Sequence, residues 1–468
     1  MKPETPAFVS RLADALGAED AAAVLAALDA PSSVAVRLHP ARLPTGVSPA
    51  AFVRDHFSPA AEPVPWNPLG FSLADRPVFT LDPAFHAGAY YVQDASAQFA
   101  GWLFSQAAER LEEGPLRVLD LCAAPGGKTT DLAARLRARC GDRFLLVANE
   151  VIYKRTGVLL ENTGRWGDPC VVMTSCDPAA FSALPGFFDL ILADVPCSGE
   201  GMFRKDSQAV REWSPETVAL CAARQRRILS DVWPALAPGG MLLYATCTFN
   251  REENDGNVAW AADSLGAEVL SGGLEMPFRG IRRTAEGFSL LPGFVRGEGQ
   301  YAAWLRKPED LPGRPRWKPG RPAPSGSPPA PLPDLFSTPM CWYDRGGVLQ
   351  AVPPFVDAWL GVLSRLRPLR AGVPVGRVKG KDWVPEGDLA HCMLLNRAAF
   401  QTVETTREEA LAFLHRDAVH FPGGRGLQLV CHAGLPLGFV KNLGGRSNNL
   451  LPMSRRIRMD LRDEETLK

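Results

Sequence analysis

Between Pro6 and Leu28 the apolar residues Phe8, Val9, Leu12, Leu16, Ala23, Leu25 and Leu28 recur at helical spacing, and Ser32 to Leu38 then alternates as a strand does. This predicts a small α+β module over residues 1–88. From 89 to 306 short apolar runs alternate with helical stretches: Leu116 to Leu121, Phe144 to Ala148, Val171 to Thr174, Leu190 to Ala193 and Met241 to Ala245. Runs of this kind are what strands covered on both faces require, so a parallel α/β sheet is expected. Each run ends in polar or small residues, at the edge where open α/β sheets gather ligand groups. Residues 307–340 are crowded with proline and are expected to be a linker too poor in apolar residues to pack, with a basic first half around Arg314, Arg316, Lys318 and Arg321. Residues 341–468 return to a mixed pattern with many Gly and Pro turns and short strands such as Leu427 to Cys431, which predicts one or two compact β-rich modules.

A chain of 468 residues that is 46% hydrophobic can bury more than one core. Lys and Arg together number 51, as do Asp and Glu, so there is no global polyelectrolyte signal and any nucleic-acid site must be a local basic patch. Met1 to Thr5 runs straight into an amphipathic pattern, and no later stretch reaches about 18 uninterrupted apolar residues, so a soluble cytoplasmic protein is expected. The ten cysteines are scattered without a C-x-x-C pair, which points to free thiols and no metal site.

Five groups at the strand tips carry the candidate chemistry. Asp120-Leu121-Cys122-Ala123-Ala124-Pro125-Gly126-Gly127-Lys128 is a strand, a glycine turn and a helix start, where small residues and helical N–H groups could cradle a carboxylate. The same run also fits an ordinary strand-to-helix turn. Glu150 ends the next strand, where an acid can accept both hydroxyls of a ribose. Asp177 could accept from an adenine amino group and equally suits a turn before Pro178. Asp194-Val195-Pro196-Cys197-Ser198-Gly199 and Tyr244-Ala245-Thr246-Cys247-Thr248 close two further strands, so two thiols and one acid should face one crevice. Carbon 5 of cytosine is a poor nucleophile until a thiolate adds to carbon 6, an acid such as Asp194 assists at N3, and a base must then remove the proton from carbon 5. Cys122, Cys140, Cys170, Cys176 and Cys221 are expected to be small buried hydrophobes. The residues alone leave open which thiol attacks.

The stretches Asp120 to Lys128, Asp194 to Gly199 and Thr246-Cys247-Thr248-Phe249-Asn250 resemble the Sun-type family of RNA cytosine-5 methyltransferases. The likeness runs over about residues 30–306, including Tyr91-Val92-Gln93-Asp94-Ala95-Ser96, Glu161-Asn162 with Arg165 and Gly167, and Gly297-Glu298-Gly299. It implies a Rossmann-like α/β fold with S-adenosylmethionine held by Cys122, Ala123, Ala124, Pro125, Gly126, Gly127, Lys128, Glu150, Arg155, Asp177 and Asp194. It also implies Cys247 as the nucleophile and Cys197 as the helper in product release. DNA cytosine methyltransferases instead attack with the cysteine of a Pro-Cys motif, here Cys197. Leu369 to Pro374 and Gly438 to Gly444 look like the PUA-type extension of bacterial members that act on small-subunit ribosomal RNA. A monomer with RNA or the subunit particle as partner follows, with Lys441, Arg446, Arg455, Arg456 and Arg458 as candidate phosphate contacts. Two departures stand out: Gly293 where relatives often carry His, and Arg251 where Pro is usual. Methylation of an exocyclic nitrogen or of protein would need no Cys247, and an idle assembly factor would lack one of Asp194, Cys197 and Cys247, all of which are present.

Overall fold

The computed structural model describes residues 6–309, 317–320, 334–380 and 382–461. The N-terminal helical periodicity is divided by Gly17, whose φ of 84° ends one helix, Pro6–Leu16, before the next, Ala18–Leu28. After them β1 (Val34–Leu38), β2 (Glu62–Val64), β3 (Asn67–Leu73) and β4 (Tyr90–Val92) form a sheet in the order β2-β3-β1-β4. The alternation in β1 suggests one wet face, yet all five residues are buried. Val34, Val36 and Leu38 pack with Val53 and Phe71, while Ala35 enters the large central core. Arg37, on that same inner face, donates to Gln93, Gly127 and Thr130, which is how a guanidinium is tolerated there.

The central sheet holds β5 (Leu116–Asp120), β6 (Phe144–Asn149), β7 (Val171–Thr174), β8 (Phe188–Asp194) and β9 (Leu236–Thr246), all parallel, in the order β7-β6-β5-β8-β9. Beyond β9 lie β10 (Glu268–Val269), β11 (Arg282–Arg283), β12 (Phe288–Leu290) and β13 (Gln300–Arg306), with β13 antiparallel to β9. β9 starts five residues before the apolar run read from the sequence, because Pro238-Gly239-Gly240 interrupts the pattern without ending the strand. The strand order reverses between β5 and β8, and in open α/β sheets the crevice at such a point is the ligand site.

The C-terminal region contains β14 (Cys341–Arg345), β15 (Val348–Val352), β16 (Arg370–Ala371), β17 (Val373–Lys379) and β18 (Asp382–Pro385), then β19 (Gln401–Thr405), β20 (Gly426–His432), β21 (Leu435–Asn442) and β22 (Ser447–Asn449). Two four-stranded sheets result, β14-β15-β17-β18 and β19-β20-β21-β22. β16 belongs to neither: it pairs with the outer edge of β7, Arg370 opposite Met173 and Ala371 opposite Val172. Helix Pro354–Leu363 adds Val356, Trp359 and Leu363 to the central core. Arg370 is buried and donates to Leu160, Thr163 and Asp388, and the Asp388 carboxylate also holds Arg455. The region after the linker is therefore built into the sheet rather than tethered to it.

The linker also departs from expectation. Trp317 packs edge-on against Phe187 at 5.7 Å between ring centres and donates its indole N–H to Pro185 O, while Leu335 is buried in the third core. Lys318 is exposed, and Arg314, Arg316 and Arg321 lie outside the described residues. Among the described residues no helix is long and apolar enough to cross a membrane.

Candidate active site

The carboxyl end of β5 delivers Leu121 to Gly126 to the crevice, and Gly126, at φ 109°, caps helix Gly127–Cys140. Asn149, the last residue of β6, fixes this loop from behind. Its side-chain amide donates to Leu121 O and Cys176 O and accepts from Thr174 Oγ1 and Cys176 N, tying three strand tips together. Asp120 is fully buried and accepts from Thr129 Oγ1 at 2.6 Å; burial pushes its carboxyl up to about 7. Cys122 is half-buried, as are Cys140 and Cys176, whereas Cys170 and Cys221 are buried as expected. Burial drives the Cys122 thiol far up, with the Asp120 carboxyl adding to it, so it stays protonated.

Glu150 follows directly and is 2% exposed. One carboxylate oxygen accepts from Ile152 N, while the other is buried without a hydrogen-bond partner, 3.5 Å from Arg155 Nη1. An acceptor left open at the tip of β6 fits the ribose hydroxyls of S-adenosylmethionine. Arg155 also donates to Ala124 O, so Glu150, Arg155 and the Cys122–Lys128 loop form one unit. Asp177 stands apart: its side chain is 49% exposed, caps the turn at Ala179 N and pairs with Arg227 at 3.3 Å. That capping bond lowers its carboxyl below the usual range.

At the end of β8, Asp194 accepts from Lys128 Nζ at 2.8 Å. Burial works against the Lys128 ammonium, but the Asp194 carboxylate prevails and raises it. Next to this pair the two thiols meet, Cys197 Sγ lying 3.1 Å from Cys247 Sγ. The hydrogen bond with Cys247 and then burial raise the Cys197 thiol well above its ordinary value, so it stays protonated.

Each cysteine loop supplies an acid that holds the other. Glu200, three residues after Cys197, accepts from the backbone N–H of Phe249 and Asn250, from Trp213 Nε1 and from the Asn250 side chain. Glu253, six residues after Cys247, accepts from Ser198 N, Asn250 and Gln225, and Gln225 donates also to Pro196 O. Burial pushes the Glu253 carboxyl up, against these donors. Gly201 closes the clasp by donating to Cys247 O at 2.8 Å, so near that a Cβ there would stand 2.9 Å from the same oxygen. Sequence reasoning passed over Asn149, Glu200, Gln225 and Glu253. The signal was present in acids set among glycines and asparagines in Gly199-Glu200-Gly201 and Glu253-Asn254, where a solvated charge has no evident purpose.

The structure thus brings Cys122–Lys128, Glu150, Arg155, Asp194, Cys197 and Cys247 to one edge and leaves Asp177 at its rim. Of the basic C-terminal residues, Lys441 is paired with Asp382 and Arg455 is engaged with Asp388, so Arg455 is a structural group rather than a phosphate contact, while Arg446, Arg456 and Arg458 are exposed.

Comparison with known proteins agrees with this arrangement. Residues 109–306 match the family described as 16S rRNA methyltransferase RsmB/F, residues 5–95 the N-terminal domain of 16S rRNA methyltransferase RsmF, and residues 400–457 the methyltransferase RsmF PUA domain. The chain is 35% identical over 418 residues to ribosomal RNA small subunit methyltransferase F of Serratia proteamaculans, covering 84% of each chain. It is 35% identical to the protein of that name from Klebsiella pneumoniae, covering 83% of each. A crystal structure of a methyltransferase homolog protein from Pyrococcus horikoshii superposes with a TM-score of 0.54 at 26% identity, over 64% of this chain and 94% of that one. The chain belongs to the ribosomal RNA small subunit methyltransferase F family of S-adenosylmethionine-dependent methyltransferases.

Proposed function

We propose that the chain methylates carbon 5 of a cytosine in small-subunit ribosomal RNA through a covalent bond between Cys247 and carbon 6 of the base. The observation that carries this reading is the pair of thiols 3.1 Å apart at the ends of adjacent parallel strands, beside the Lys128–Asp194 pair. The Cys197 thiol stays protonated in the resting site, and the attack is assigned to Cys247. Cys247 gives its proton to solvent and adds as thiolate to carbon 6, the carbon 5–carbon 6 π pair moves to carbon 4–carbon 5, and the carbon 4–N3 π pair takes up a proton passed through Asp194 from Lys128. S-adenosylmethionine, held by Cys122–Lys128, Glu150, Arg155 and Asp194, supplies the electrophilic methyl group that carbon 5 then accepts, with Asp177 contributing at the rim.

With Cys247 bonded to carbon, its hydrogen bond no longer holds the proton on Cys197, and that proton leaves to solvent. The Cys197 thiolate removes the proton from carbon 5, Cys247 departs as thiolate as the carbon 5–carbon 6 double bond re-forms, and N3 returns its proton through Asp194 to Lys128. The target base must be unstacked to enter the crevice, so a cytosine in a loop or single strand is the substrate. The module at 1–88 and the region 341–468 carry the RNA on either side, and the chain acts in the cytoplasm as a monomer. Bisulfite sequencing of small-subunit RNA from a deletion strain tests the reading. A cytosine that loses its mark on deletion, regains it with the wild-type gene and not with Cys247→Ala is the expected result; no changed cytosine contradicts it.

A further inference from the structure

A cavity of about 540 Å³ lies outside the cysteine crevice, between the N-terminal sheet and helix Tyr153–Trp166. Its walls include Phe79, Phe85, Tyr90, Tyr91 and Trp166, an aromatic density that the fold of β4 alone does not call for. Trp166 is 3% exposed and its indole N–H is buried without an acceptor. Buried donors of this kind are rare without a partner. Arg76 stands exposed at the mouth over the Phe79 ring, and Arg165 lines the wall, stacked on Phe85 and paired with Glu161 at 2.7 Å. Behind Arg165, Arg42 is fully buried and donates to Arg165 O; burial and then the charges of Arg397, Arg165 and Arg455 lower it to about 9, the mark of a locally cationic junction. The cavity also touches the cofactor loop: Asn162 donates to Pro125 O at 2.8 Å, and Tyr91 Oη reaches the same oxygen at 3.4 Å. Tyr91, Asn162 and Arg165 have no part in the cysteine chemistry.

We propose that this cavity is a nucleotide subsite for the RNA strand, holding a base that flanks the target cytosine against the aromatic walls with its phosphate facing Arg76 and Arg165. Aromatic faces accept any base, and guanidinium groups at the entrance meet the backbone charge. The inference rests on the reading that RNA is the substrate. A strand crossing Pro125 would have one nucleotide seated here and another at Cys247, so the subsite would set which neighbouring base is unstacked alongside the target.

Val78 and Arg76 are exposed at the mouth, so Val78→Trp and Arg76→Glu obstruct or reverse it with little effect on the core. Affinity of the full-length variants for a single-stranded fragment of small-subunit RNA is read by fluorescence anisotropy, S-adenosylmethionine affinity by calorimetry, and methyl transfer in parallel. Each variant should weaken RNA binding about tenfold, the loss of roughly one stacked base, with cofactor affinity unchanged. Unchanged RNA binding in both variants overturns the subsite, as does a matching loss of cofactor affinity. Weakened RNA binding without any 5-methylcytosine formed by the wild type would uphold the subsite while refuting the proposed reaction.

Discussion

Glu200→Gln probes the clasp that holds the two thiols together. The Glu200 carboxylate is 2% exposed and accepts from two backbone N–H groups with one oxygen and from Trp213 Nε1 and the Asn250 amide with the other. Glutamine can keep one oxygen for the backbone pair, but its NH2 then faces two donors. The Asn250 amide keeps Glu253 Oε1 and Thr248 Oγ1 as acceptors, whereas Trp213 Nε1 is left without one, at a cost of about 1–3 kcal/mol. At about 2–4 °C per kcal/mol for a domain of this size, the melting temperature should fall by roughly 2 to 12 °C. The turn at Phe249-Asn250 directly follows Cys247, and an error near 1 Å in a reacting group costs on the order of a hundredfold in rate. Scanning fluorimetry and methyl transfer at a temperature where the variant remains folded give the two readouts. Melting within about 1 °C of wild type would refute the burial argument. A large fall in melting with full activity per folded molecule would show that Glu200 holds the fold and does not position Cys247.

Glu150→Ala should weaken S-adenosylmethionine at least about tenfold by calorimetry, because it removes a charged acceptor with an open buried oxygen. Asp177→Ala should cost less, its carboxylate being half-exposed and already paired with Arg227, and equal losses would contradict this ranking. Asp120, raised by burial to about 7, binds its proton more tightly folded than unfolded, so its contribution to stability is full below the unfolded value and is lost as pH rises through about 7. Asp120→Asn should flatten the melting temperature between those limits, and an unchanged slope would count against the assignment. Arg456→Glu with Arg458→Glu should reduce the salt dependence of RNA binding by about one per lost phosphate contact, and an identical slope would remove these residues from the interface. Cutting the chain at residue 306 should yield an aggregating fragment, because it strips β16 from the edge of β7 and uncovers the core that Trp359 fills; a soluble, monomeric fragment in gel filtration would contradict the fused architecture.

The parallel strands and their tips were legible because buried strands must be continuously apolar and the polar residues that interrupt them fall at the carboxyl ends. The thiol pair followed from two such tips on neighbouring strands. The two-residue β16 was not legible, since a strand that short has no periodicity and its partner, β7, lies some 200 positions earlier. Arg37 and Arg370 were hidden for a related reason: burial of a guanidinium depends on acceptors from distant elements, such as Gly127 O and Leu160 O. Glu200 and Glu253 read as loop acids because their donors are backbone N–H groups of the opposite loop, which only the folded crevice brings near. Asp177 was placed correctly at a strand tip, but capping the turn at Ala179 directs its carboxylate toward Arg227 at the rim.

The central claim is that Cys247 attacks and Cys197 releases, and trapping the covalent intermediate tests it most directly. Wild type, Cys197→Ala and Cys247→Ala are each incubated with S-adenosylmethionine and small-subunit RNA, then resolved by denaturing electrophoresis. Cys197→Ala should accumulate a protein–RNA species that survives denaturation, because addition and methyl transfer proceed while elimination lacks its base, and Cys247→Ala should form none. An adduct with Cys247→Ala and none with Cys197→Ala would assign the attack to Cys197 and contradict the account.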